Sequence, residues 1–171
     1  MEIENQIDIN DFLKRCINER IKGIYVTGWT EVKNNINFFE RMDFFYYLEF
    51  EKFFICIELD EIKHGLRFYI HKEIKCNFQE IFEGGEVFTV TNADERDFNG
   101  LEIKSFDIFY SKSDKFPWAL GIKFKDTKSI RNRYAFFDGL SFDGIIFGDE
   151  KDKDFHYSKD ERFALKKFPS E

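Results

Sequence analysis

Apolar side chains recur in this chain first with a helical period and then, for most of its length, with a period of two. Asp8 is a good helix N-cap, Ile7 and Phe12 have the spacing of a hydrophobic staple, and Phe12, Leu13, Cys16, Ile17 and Ile21 share one helical face before Gly23. This pattern predicts a helix over 9–22 that covers a sheet. Gly23 to Thr27 then reads as a first strand, which Gly28 and Trp29 end or bulge.

From Phe44 to Leu59 the apolar frame runs 44, 46, 48, 50 and then shifts to 53, 55, 57, 59. A hairpin turning at Glu51-Lys52 accounts for the shift, with Phe50 facing Phe53, Leu48 facing Ile55, Tyr46 facing Ile57 and Phe44 facing Leu59. Glu-Lys is a poor pair for a tight turn, which leaves a bulged continuous strand as the alternative. A turn at His64-Gly65 precedes the alternating strand Leu66, Phe68, Ile70. Asn77 and Glu80 resemble a capping box for a short helix over 78–82, stopped by Gly84-Gly85, and 86–91 is β-rich before a loop over 92–100.

Further strands are predicted over 101–110 and 118–125, the second entered through Pro117, and the short runs 134–137 and 142–147 form turns or a final hairpin. Ser158 and Glu161 make a second capping box, which predicts a short C-terminal helix through Phe163, Leu165 and Phe168 up to Pro169. No linker or fixed-period repeat interrupts the chain. The expectation is a single α+β domain over 1–171, a mainly antiparallel β-sheet with an N-terminal helix packed on it and a short C-terminal helix.

Composition sharpens the picture. Phenylalanine fills 24 of 171 positions, enough aromatic surface to build a large core, although the abundance of Phe, Ile, Lys, Asn and Tyr is also what an AT-rich gene produces. No apolar run approaches bilayer length and Met1-Glu2-Ile3-Glu4 opens with acid, so a cytoplasmic protein without membrane contact is expected. Cys16, Cys56 and Cys76 form no paired framework and read as reduced, mostly buried thiols. The formal charge of -7 opposes nonspecific binding to duplex DNA and fits a basic partner.

Signatures for dinucleotides, phosphate loops and paired metal-binding histidines are missing, and no cofactor or metal is expected. His71 with Cys76, or His64 with Cys56, lacks the second pair that a structural zinc site requires. Glu102-Ile103-Lys104, with Asp94 or Asp97 upstream, resembles the core of the PD-(D/E)xK metal-dependent nucleases, in which carboxylates hold a divalent cation and lysine acts at the scissile phosphate. The same tripeptide recurs at Glu61-Ile62-Lys63 and Glu73-Ile74-Lys75, so it carries little specificity.

Charge segregation says more. From Asp138 to Glu161 eight acids stand against three lysines, and from Glu83 to Glu102 six acids stand against Arg96, whereas Lys123 to Arg133 holds five bases against Asp126. Acidic loops beside aromatics suit capture of a basic protein: charge steers the encounter and buried aromatics supply affinity. The residues expected to bind a partner are Asp94, Glu95, Asp97, Phe98, Phe116, Trp118, Asp138, Phe142, Asp143, Asp149, Glu150, Asp152, Asp154 and Phe155. The basic stretch offers a competing reading as a single-stranded nucleic-acid binder, disfavoured by the acid on either side.

Small, acidic, aromatic-rich and free of motifs, the chain resembles in overall character the immunity proteins of bacterial polymorphic-toxin systems, including contact-dependent growth inhibition. The resemblance implies a cytoplasmic, non-enzymatic inhibitor that neutralises a cognate toxin, often a basic nuclease, by covering its active site or an adjacent surface. It assigns no individual residue.

Overall fold

The Asp8 carboxylate accepts the Asp11 backbone N–H at 2.8 Å and starts the helix, α1 (Ile9–Cys16), as its N-cap. Its apolar face buries Phe12, Leu13 and Cys16. The computed structural model describes residues 6–34, 36–60, 65–74, 87–92, 100–112, 119–126, 133–138, 145–149 and 163–169. Within them α1 ends earlier than the predicted 9–22, because Ile17 is extended and Asn18 takes a left-handed φ of 65° that asparagine tolerates. The chain then pairs with a distant segment: Asn18 and Ile21 donate to the carbonyls of Ile103 and Leu101 at 2.7 and 2.9 Å, and Ile103 donates back to Glu19 at 2.9 Å. Ile21 is buried as the helical period implied, but it reaches the core from extended backbone.

Strand β1 (Gln6–Ile7) opens a six-stranded antiparallel sheet with β2 (Gly23–Lys33), β3 (Ile36–Glu49), β4 (Phe54–Asp60), β5 (Gly65–His71) and β6 (Val87–Asn92), in the order β1-β5-β4-β3-β2-β6. The hairpin at Glu51-Lys52 forms with the predicted register, Tyr46 opposite Ile57 and Leu48 opposite Ile55, closed by a 2.9 Å bond from Phe50 N–H to the Phe53 carbonyl. The rings of Phe50 and Phe53 stack with centroids 4.9 Å apart. That ladder ends at Phe45 opposite Glu58, so the expected pairing of Phe44 with Leu59 falls beyond it.

Gly28 and Trp29 do not end β2, which runs on to Lys33. Instead the register against β3 jumps between Val26, opposite Tyr46, and Thr27, opposite Met42. The bulge therefore lies in β3, and the buried Thr27 hydroxyl donates to the Met42 carbonyl at 3.1 Å. Gly28 has a packing role: a Cβ there would overlap the Glu40 backbone oxygen and the Phe39 ring.

A second, five-stranded antiparallel sheet has the order β10-β9-β8-β7-β11, with β7 (Ser105–Ser111), β8 (Ala119–Asp126), β9 (Arg133–Asp138), β10 (Ile146–Asp149) and β11 (Phe163–Phe168). The predicted strand over 101–110 thus begins at Ser105, and Glu102 makes only an isolated bridge to Arg20. The β9–β10 hairpin appears, though it is not final. The C-terminal helix is corrected: Phe163–Phe168 is a strand paired along β7 from Ser111 to Phe106. The open β7 edge supplies backbone partners for this short run, and Phe168 packs against the core from it. The short helix expected over 78–82 and the capping box at Ser158 lie outside the described residues.

One core unites these parts into a single α+β domain. Its buried residues include Phe12 and Leu13 from α1, Ile24, Leu48, Ile55 and Phe68 from the first sheet, and Phe106 and Ile108 from the second. Phe12 is one link: its ring stacks on Phe68 at 4.3 Å between centroids and tilts against Phe106 at 5.6 Å. Asp60 and Arg67 close the β4–β5 pair, with Arg67 Nε and Nη2 donating to the buried Asp60 Oδ2 at 2.9 and 2.7 Å.

Candidate partner-binding site

The register of the second sheet sorts its connections between two ends. Ser111 and Ala119 lie at one end, together with Asp138 opposite Ile146 and with Phe163 opposite Ser111. Ser105, Asp126, Arg133, Asp149 and Phe168 lie towards the other, about 20 Å away at the rise of a strand. Antiparallel pairing makes this arrangement unavoidable, because each hairpin leaves and re-enters the sheet at the same end.

Connection 113–118, which carries Phe116 and Trp118, and connection 139–144, which carries Phe142 and Asp143, therefore both attach at the Asp138 end. The basic connection 127–132, with Lys128 and Arg131, attaches at the opposite end. Asp138 and the 139–144 connection thus attach at the end opposite the basic 127–132 connection, whereas Asp126 and Asp149 lie on the basic side.

The acidic stretch from Asp138 to Glu161 is not one patch at its points of attachment. Asp138 pairs with Ile146 and Asp149 with Ala135, at opposite ends of the β9–β10 ladder. The sequence runs these acids together because β10 (Ile146–Asp149) is only four residues long. Likewise, 93–99 leaves β6 at Asn92, beside Tyr25, and returns at Gly100, whose N–H donates to the Ile21 carbonyl at 2.7 Å. From Gly100 the chain enters the second sheet at Ser105, away from the Asp138 end. Of the expected partner-binding residues, Asp138 and Asp149 are in described strands. Asp94, Glu95, Asp97, Phe98, Phe116, Trp118, Phe142, Asp143, Glu150, Asp152, Asp154 and Phe155 lie outside the described residues.

Glu102 and Lys104, the residues of the nuclease-like tripeptide, occupy an ion-pair cluster. The largely buried Glu102 carboxylate sits 3.5 Å from Arg20 and contacts the Lys104 ammonium, which also donates to Asn18 Oδ1 at 3.1 Å. These contacts fasten 100–104 to the turn after α1. No cluster of three metal-ligating side chains occurs among the described residues. Cys16 and Cys56 are free and fully buried, and burial pushes both thiols up, which makes them poor nucleophiles. Cys56 lies between Tyr47 and Tyr69 in the cross-strand row, where a second apolar cluster forms with Tyr25, Phe45 and Ile74. No helix among the described residues is long and apolar enough to cross a membrane.

The sequence reading missed one surface. Ile36 and Phe38 are 58% and 52% exposed and Phe39 is 39% exposed, all on the distal part of β3. The alternation Ile36, Phe38 followed by Phe39 was a strand signal, but the charged Glu40-Arg41 and the bulge after Met42 break the frame that continues from Tyr46.

Comparison with protein-family models, with curated proteins and with solved structures found no match.

Proposed function

We propose that this chain is a non-enzymatic inhibitor of the immunity-protein kind, which binds a basic protein toxin and occludes its active site or an adjacent surface. The proposed surface draws on Asp138 and on the connections 113–118 and 139–144, which carry Phe116, Trp118, Phe142 and Asp143 and leave the second sheet at the same end. The supporting observation is the shared attachment of 113–118 and 139–144 at that end, with the basic 127–132 connection at the other. Two aromatic-bearing connections on adjoining strand ends, with Asp138 and Asp143 beside or within the second, offer what a basic surface needs: steering charge and side chains able to fill pockets.

The mechanism asks for no catalytic group. Association is electrostatically assisted, so it weakens as salt shortens the Debye length to about 8 Å at physiological ionic strength. Dissociation is governed by the aromatics. The test is to capture the partner with a tagged chain from producing cells, identify it by mass spectrometry, and measure its binding to charge-reversed chains. Asp138→Lys with Asp143→Lys should slow association at least tenfold at low salt, and Trp118→Ala should accelerate dissociation. Lys128→Glu with Arg131→Glu should leave both rates near wild type; loss of binding on that side would overturn the proposal.

A further inference from the structure

The β2–β3 pair runs past the body of the first sheet. β6 accompanies β2 only from Tyr25 to Thr30, and β4 accompanies β3 only from Phe45 to Glu49. No described strand pairs with the outer edge of β3 from Ile36 to Met42. That edge has no lysine or proline, its charges Glu40 and Arg41 and the bulge after Met42 are confined to its inner end, and it carries the exposed Ile36, Phe38 and Phe39. Strand alternation sets Ile36 and Phe38 on one face and Phe39 on the other, so exposed apolar surface flanks the edge on both sides. A cover lying on one face would leave the other in water; a strand added at the edge shields both.

We propose that the β3 edge from Ile36 to Met42 is a dimerisation surface, filled in antiparallel fashion by the same edge of a second copy of this chain. The segment is self-complementary about Phe39. A two-fold axis there sets Phe39 opposite its mate, Phe38 opposite Glu40, Asn37 opposite Arg41 and Ile36 opposite Met42. Registers centred on Glu40 or Arg41 would set like charges face to face, which destabilises a sheet. With one acid and one base the segment is neutral within a chain of formal charge -7, so it offers a second copy no local repulsion and a basic partner no excess acid. The inference is independent of the toxin-binding surface, which is assigned to the other sheet.

A single short edge pairing buries much less than the roughly 1,600 Å² of a standard interface, so the dimer is reversible, with a dissociation constant on the order of tens of micromolar. Sedimentation velocity on the full chain, from about 5 to about 500 µM, brackets that range. The weight-average mass should rise with concentration from 20.7 kDa towards twice that value. Phe38→Glu sets two acids face to face on each side of the axis and should weaken association at least tenfold, and adding Glu40→Lys should restore it. Leu165→Glu, at the 52% exposed apolar position on β11, should dimerise like wild type. Rescue by the second charge distinguishes a register effect from misfolding. A wild-type chain that stays monomeric throughout, a Phe38→Glu chain that still dimerises, or a double variant that is not rescued would each overturn the proposal.

Discussion

Replacing Phe12 by alanine removes a ring that touches both sheets. Phe12 is fully buried, stacked on Phe68 at 4.3 Å and tilted against Phe106 at 5.6 Å. Loss of its apolar burial costs about 1.5–3 kcal/mol, and the two ring contacts add about 0.5–1.5 kcal/mol each. Together these come to about 2.5–6 kcal/mol, which brackets the roughly 3–5 kcal/mol typical of a buried Phe→Ala change. That is a large share of the roughly 5–15 kcal/mol by which a domain is stable. Phe12→Leu keeps most of the volume and should cost only about 1–2 kcal/mol. Urea denaturation followed by far-UV circular dichroism and by tryptophan fluorescence, to which Trp29 of β2 contributes, supplies the measurement. Both signals should shift to lower urea together, because the ring joins one core. A cost below about 1 kcal/mol, or sheet and fluorescence transitions that separate, would refute the assignment of Phe12 as a link.

Three further outcomes follow from local geometry. Gly28→Ala should destabilise by about 1–3 kcal/mol in thermal denaturation, since the new Cβ must displace the Phe39 ring or the Glu40 backbone. Arg67→Met removes the guanidinium that pairs with the buried Asp60 carboxylate and should cost about 3–5 kcal/mol by urea titration; converting Asp60 to Asn as well should recover part of that loss. Burial, and then the hydrogen bond to Glu58, push the Tyr69 hydroxyl up to about 12 from 10.0. The folded state therefore holds this proton more tightly than the unfolded chain, and the corresponding stability is intact below pH 10 and is lost as pH rises towards 12. Tyr69→Phe should flatten the decline of melting temperature across that window, and an unchanged decline would contradict it.

Period-two patterning was legible wherever one face of a strand meets the core. Tyr46, Leu48, Ile55 and Ile57 gave the β3–β4 register once the chain turns at Glu51-Lys52, because a slip of one residue would have turned every apolar side chain outward; the alternative of a bulged continuous strand is what the structure removes. The helix boundary was not legible, since Ile17 and Ile21 keep a helical spacing while the backbone between them turns through Asn18 to pair with 100–103. Nor was β11: Phe163 to Phe168 has no strong period of its own and is made a strand by the β7 edge it completes. The charge segregation was visible as runs along the chain, whereas its division between two ends of one sheet depends on strand pairing. Asp138 and Asp149 belong to one run in sequence and to opposite ends of one ladder. Ile36, Phe38 and Phe39 escaped notice because aromatics in a Phe-rich chain read by default as core.

The proposed function requires capture of a basic protein at the Asp138 end of the second sheet. The most direct measurement is affinity capture with the tagged chain from producing cells, in parallel with Asp138→Lys/Asp143→Lys and Lys128→Glu/Arg131→Glu chains, at low and at high salt. The expected result is a basic protein held at low salt by the wild type and by the chain reversed at Lys128 and Arg131, released at high salt, and absent from the chain reversed at Asp138 and Asp143. Recovery of the same protein with all three chains, indifferent to salt, would contradict it.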